Sequence, residues 1–140
     1  MKYKNLILAL ISIFVLTFNA EASNKKFKVR FIIPPTAETV LASEAKSYIA
    51  RELRALQDVE QIGLGPCKDP CDYFLISIYP ILLNLSNGQR AGIAVSYVIE
   101  KDAKTEHNVL VGAPNELKIL CEKIISYFDT YWLGPERKSQ

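Results

Sequence analysis

The residues whose types could carry chemistry are few: two close cysteines, a lone histidine and a spaced pair of glycines. Cys67-Lys68-Asp69-Pro70-Cys71 puts three residues between its thiols, in a loop rich in Pro and Gly that precedes a strand. Thiol oxidoreductases place two residues there, at a helix start that lowers one thiol's pKa. The spacing therefore favours a structural Cys67–Cys71 disulfide over a redox centre. Such a bridge closes a short loop and stabilises by about 2 kcal/mol. Cys121 falls on the apolar side of a helical pattern and reads as a small core residue. With three cysteines one thiol is left over, and pairing of Cys67 or Cys71 with Cys121 stays open.

His107 is the single histidine, beside Glu106 in an expected edge strand. No Ser or Cys stands at a recognisable nucleophile spacing from it, although triads assemble in space rather than in sequence. It reads as a surface histidine. Zinc sites need ligand pairs that this chain lacks. Gly63-x-Gly65 has no following helix and lysine, so it is no phosphate loop. Asp69 and Asp72 find no third acid for a calcium loop. Asn84-Leu85-Ser86 is a formal glycosylation sequon, relevant only in a eukaryotic source and placed within an expected strand. No catalytic, cofactor-binding or metal-binding residue emerges.

The compartment is read from the first residues. Lys2 and Lys4 precede an apolar run from Leu6 to Phe18, interrupted only by Ser12 and Thr17, and Ala20-Glu21-Ala22 follows. Basic start, short apolar stretch and small-x-small exit are the parts of a secretory signal peptide. Cleavage is expected between Ala22 and Ser23, leaving residues 23–140 as one domain. The run is shorter than the roughly 20 apolar residues of a membrane span, so no membrane insertion is expected after cleavage. Removing Lys2, Lys4 and Glu21 turns the formal charge of +2 into +1. That balance gives no electrostatic case for nucleic acid or an anionic membrane. Glu136-Arg137-Lys138 reads as a solvated mixed-charge tail.

The elements follow from periodicity. Phe27, Val29, Phe31 and Ile33 alternate as a strand with one buried face, and Pro34-Pro35 ends it. Thr36 is the expected cap, with Glu38 in the first turn, of a helix burying Leu41, Ala45, Tyr48, Ile49, Leu53 and Leu56. Val59–Ile62 is a short strand. Tyr73–Tyr79 is nearly all apolar, as in a strand that is central or covered on both faces. Pro80 implies a bulge or a sheet edge. Asn87-Gly88 predicts a two-residue turn into a strand over Ala91–Ile99. There Ile93, Val95, Tyr97 and Ile99 share one face, and Gly92, Ala94 and Ser96 make a small-residue face open to close approach. A weaker strand follows over Glu106–Val111. Asn115 caps a last helix with a stripe of Leu117, Leu120, Cys121, Ile124, Phe128, Tyr131 and Trp132. Gly134-Pro135 supplies its left-handed cap and stop.

The order β-α-β-β-β-β-α predicts an α+β fold, two helices packed on one face of a four- to five-stranded, mainly antiparallel sheet. This order, with Tyr48-Ile49-Ala50-Arg51-Glu52-Leu53 closing the first helix and Asp72-Tyr73-Phe74-Leu75 opening a strand, resembles the amino-terminal domain of TolB. It is similar also to related domains of bacterial envelope lipoproteins, whose lipid-anchoring cysteine is absent here. The resemblance implies a non-catalytic envelope domain that docks onto another envelope protein, with an exposed sheet edge as one route; the export signal places it in the periplasm or, alternatively, in full secretion. Two other readings stand beside it. One is a thiol-redox or other small periplasmic enzyme using Cys67 and Cys71. The other is a secreted small-ligand carrier with Tyr73, Tyr79 and Tyr97 lining a pocket.

Overall fold

The computed structural model describes residues 26–34, 39–66 and 72–140. The expected signal peptide with its Ala22/Ser23 cleavage point, the expected Thr36 cap, Glu38 and the Cys67–Cys71 segment lie outside the described residues.

The elements run β1 (Phe27–Ile32), α1 (Thr39–Ala55), β2 (Val59–Gln61), β3 (Phe74–Asn84), β4 (Arg90–Lys101), β5 (Lys104–Gly112) and α2 (Leu117–Phe128). A π-helical turn (Asp129–Leu133) and α3 (Gly134–Lys138) continue α2 to the C-terminus. The strands form one sheet in the order β2-β1-β3-β4-β5. This is the α+β layout that the sequence predicts, with β3 at its centre.

The sheet is mixed. Helix α1 crosses over between β1 and β2, which makes those two strands parallel, and β1 is also parallel to β3. The parallel ladders are short, covering Phe27–Val29 and Val29–Ile32 of β1. The antiparallel ladders are long: β3 and β4 pair from Leu75 to Asn84, and β4 and β5 from Lys104 to Gly112. Two-residue and three-residue links suffice for antiparallel neighbours, whereas the parallel pair needs the helix.

Both helices lie on one face. Leu41, Ala45, Ile49 and Leu53 of α1 recur every four residues and are buried, as are Leu117, Leu120, Cys121, Ile124, Ile125 and Phe128 of α2. They close over Val29, Ile76, Ile78, Val95, Tyr97 and Ile99. Phe74 is the hub, edge-on to Phe128 at 5.2 Å, Trp132 at 6.3 Å and Phe27 at 6.3 Å. Edge-to-face pairs at these distances add to simple area burial.

Several local expectations are corrected. The β3–β4 link is a three-residue turn: the Gly88 N–H donates to the Leu85 carbonyl and the Leu85 N–H to the Gln89 carbonyl. Within this turn only Gly88 takes a positive φ, +80°. Asn87 instead accepts the Gln89 N–H on its side-chain oxygen at 3.0 Å, so it stabilises the turn without a left-handed backbone. The two-residue turn lies at Asp102-Ala103, where Asp102 has φ +52°. Asn115 does not cap α2. The preceding residue is Glu116, whose carboxylate accepts the Ala113 N–H at 2.8 Å while its own N–H donates to the Ala113 carbonyl.

Gly134 is right-handed helical at φ −55°, so it ends nothing, and the helical backbone runs on through Pro135 into α3. The π turn also shifts the apolar stripe. Its i→i+5 bonding turns Trp132 and Leu133 into the core and leaves Tyr131 exposed. The tail is not simply solvated. Arg137 clamps Asp58 and reaches Asp129 at 2.7 Å, and Glu136 meets Lys101 at 3.0 Å. Pro80 marks a sheet edge, because β1 accompanies β3 only as far as Ser77.

Candidate functional site

Strand alternation gives each sheet residue one of two environments. On β3 the helices take Phe74, Ile76 and Ile78, and the intervening residues point to the opposite face. The Tyr73–Tyr79 segment is thus central in its sheet, yet covered on one face only. On that outer face the ladder register aligns Ile81 with Ala94 and Val111, and Tyr79 with Ser96 and Val109. Leu83 stands opposite Gly92 in the next row. The first two rows read large, small, large and the third large, small, so a trough runs along β4 between apolar ridges on β3 and β5.

These ridges are open to solvent: Tyr79 is 38 % exposed, Ile81 52 %, Leu83 36 %, Val109 54 % and Val111 65 %. Singly exposed apolar side chains are ordinary, whereas a contiguous group marks a contact surface. Charge enters this face toward its other end, at Glu100 on β4, at Lys28 and Arg30 on β1 and at Glu60 on β2. There the Arg30 guanidinium lies 4.7 Å over the Tyr73 ring and donates to the Gly65 carbonyl at 2.8 Å. Gly92 has its own reason to be small, since a Cβ there would stand 2.8 Å from the Gly112 carbonyl oxygen.

The trough contains an arrangement with the form of a catalytic pair. Ser96 Oγ and His107 Nε2 are 2.7 Å apart, within the range for nucleophile and base. The tight Asp102-Ala103 turn sets the register that brings His107 opposite Val98, diagonal to Ser96. The sequence carries that signal only when the turn is counted correctly. Among the described residues no carboxylate hydrogen-bonds to His107, and Ser96 sits mid-strand on an open face, without a helix start or loop to supply oxyanion donors. A base without an orienting group and a nucleophile without an oxyanion hole fall short of an acyl-transfer site.

The inner edge of β5 holds a polar cluster. The Glu106 carboxylate accepts from the Tyr127 hydroxyl, from Asn108 Nδ2 at 3.0 Å and from Trp132 Nε1 at 3.3 Å. That hydrogen bond to Glu106 pushes the Tyr127 phenol up to about 12, which makes it a poor acid or nucleophile near neutrality. Lys104 Nζ lies 4.1 Å above the Trp132 ring, beside an open cleft of about 550 Å³ whose lining charges, Lys101, Lys104, Asp102 and Glu136, balance. The cluster fastens β5 to the helical layer.

Cys121 is a free thiol in the core, and burial pushes it up to about 12. A thiol so placed is inert rather than reactive. Tyr97 faces the core while Tyr73 and Tyr79 lie on the outer face, so the three tyrosines do not line one pocket. Among the described residues no three His, Cys, Asp or Glu side chains gather as a metal site, and no helix is long and apolar enough to cross a membrane.

The class defined by this geometry is a two-layer α+β domain, with one sheet face left uncovered among the described residues. No family model matches the chain, and no curated protein matches it in sequence. Among solved structures it is similar to the PelC dodecamer from Paraburkholderia phytofirmans, at 16 % identity and a TM-score of 0.42, over 76 % of this chain and 84 % of that one.

Proposed function

We propose that this protein is an exported, non-enzymatic domain that works by docking another envelope protein on its outer sheet face. The observation that carries the reading is the set of apolar ridges on β3 and β5, exposed side by side with no charge between them. The ridged part of this face is uncharged, which suits an apolar protein surface and offers nothing there to a phosphate or a nucleic acid. The small residues of β4 let the partner approach the sheet backbone closely. Removing such a face from water supplies roughly 25 cal/mol per Å² of apolar area.

The test compares two photo-crosslinkable positions in cells: Val111 on the outer face and Arg54 on the solvent side of α1. Crosslinks to a defined protein at Val111, absent at Arg54 and lost with Ile81→Asp, support docking. Equal labelling at both positions defeats it. Export has a separate test, the N-terminal sequence of the purified protein, which should begin at Ser23. Retention of Met1 would sink the export reading.

A further inference from the structure

A sheet edge offers unpaired N–H and C=O groups to any other strand, and proteins blunt such edges with short strands, proline, bulges or charge. The open edges on β2, on β3 beyond Ser77 and on β5 are not treated alike. The β2 edge is only three residues long. The edge of β3 beyond Ser77 carries Pro80 and a register irregularity at Leu83/Asn84. The β5 edge has neither device. It runs nine residues, pairs with β4 without a break from Lys104 to Gly112, and contains no proline.

Its charges do not guard it either. Lys104 is drawn over the Trp132 ring, and the Glu106 carboxylate is occupied by Tyr127, Trp132 and Asn108. Both therefore turn toward the helical layer rather than along the edge. From His107 to Gly112 the strand bears no Lys, Arg, Asp or Glu.

We propose that β5 pairs antiparallel with β5 of a second copy, making one continuous sheet across a two-fold dimer. The occupant is argued from self-complementarity. An antiparallel pairing about the middle of the strand sets Lys104 and Glu106 of each copy against the uncharged Leu110–Gly112 half of the other. No like charges meet, and a two-fold interface requires that kind of match of a surface to itself. The same pairing sets Val109 of each copy opposite His107 of the other and Val111 opposite Thr105, and removes part of the exposed flanks of both valines from water. This goes beyond the docking reading, because it uses the edge of the sheet and leaves its outer face free.

A single strand pair makes a small interface, below the standard size for stable complexes, so the dimer should populate at about 100 µM and dissociate on dilution. Light scattering of the purified protein should then give twice the monomer mass. Hydrogen exchange should show β5 amides whose protection rises with protein concentration. Val109→Lys should return the protein to monomer without unfolding it, whereas Ile81→Lys, two strands away, should leave the dimer intact while removing partner docking. A monomer at about 100 µM overturns the proposal. So does a dimer lost in Ile81→Lys but kept in Val109→Lys, which would mean that the faces stack. Protection of β5 independent of concentration also overturns it, since the chain itself would then cover the edge.

Discussion

The Arg137 guanidinium grips the Asp58 carboxylate with Nε at 2.5 Å from Oδ2 and Nη2 at 2.9 Å from Oδ1, joining the last helix to the turn after the first. Two parallel hydrogen bonds of this kind add directional specificity as well as energy. Both side chains are about one-third exposed, so the pair is worth on the order of 1 kcal/mol after solvent screening. The Arg137 bond holds Asp58 below the usual carboxylate range. A depressed acid stabilises the fold above its unfolded pKa, near 4, and loses that contribution as pH falls through the folded value. Asp58→Asn should therefore cost stability in urea titrations at pH 7 and little at pH 2. An equal loss at both would assign the contribution to packing instead.

The Tyr127 phenol is raised by its bond to the Glu106 carboxylate to about 12. A raised group contributes stability that is complete below the unfolded value, near 10, and disappears as pH climbs through the folded one. Absorbance titration of the tyrosinate band should show a late component near pH 12 that Tyr127→Phe abolishes. Persistence of that component in the variant would locate it on another tyrosine.

Gly92→Ala should destabilise by about 1–3 kcal/mol, the usual cost of forcing atoms into packed space, because the new Cβ meets backbone oxygen at 2.8 Å. Gly63→Ala is the control: nothing lies within 4 Å of its Cβ position, and its midpoint in thermal melts should be unchanged or slightly higher. Matching midpoints for the two variants would refute the close approach at Gly112.

Ser96 should resist a fluorophosphonate probe at neutral pH, since among the described residues no acid orients His107 and no oxyanion donors converge on the pair. Labelling of Ser96, lost in His107→Ala, would establish an activated nucleophile and displace the docking reading.

What could be read from the chain alone was set by local periodicity. Ile93, Val95, Tyr97 and Ile99 announce a strand face, and Leu41, Ala45, Ile49 and Leu53 a helix stripe, because burial repeats every two residues in one element and every 3.6 in the other. Those repeats fixed the element order and the helix-covered core. They could not tell whether Leu75, Tyr79 and Ile81 face a second layer or solvent, since an apolar outer face looks the same in sequence either way.

Tertiary structure decided everything that depends on where two distant segments meet. The Ser96–His107 contact exists because a turn at Asp102-Ala103 sets the ladder register, and a one-residue slip would send one of them to the other face. Arg137 looked like part of a charged tail until the π turn and α3 carried it back to Asp58. Local repeats are written into neighbouring residues. Register, layer count and long-range ion pairs are properties of the closed fold, where backbone geometry rather than residue type chooses the partner.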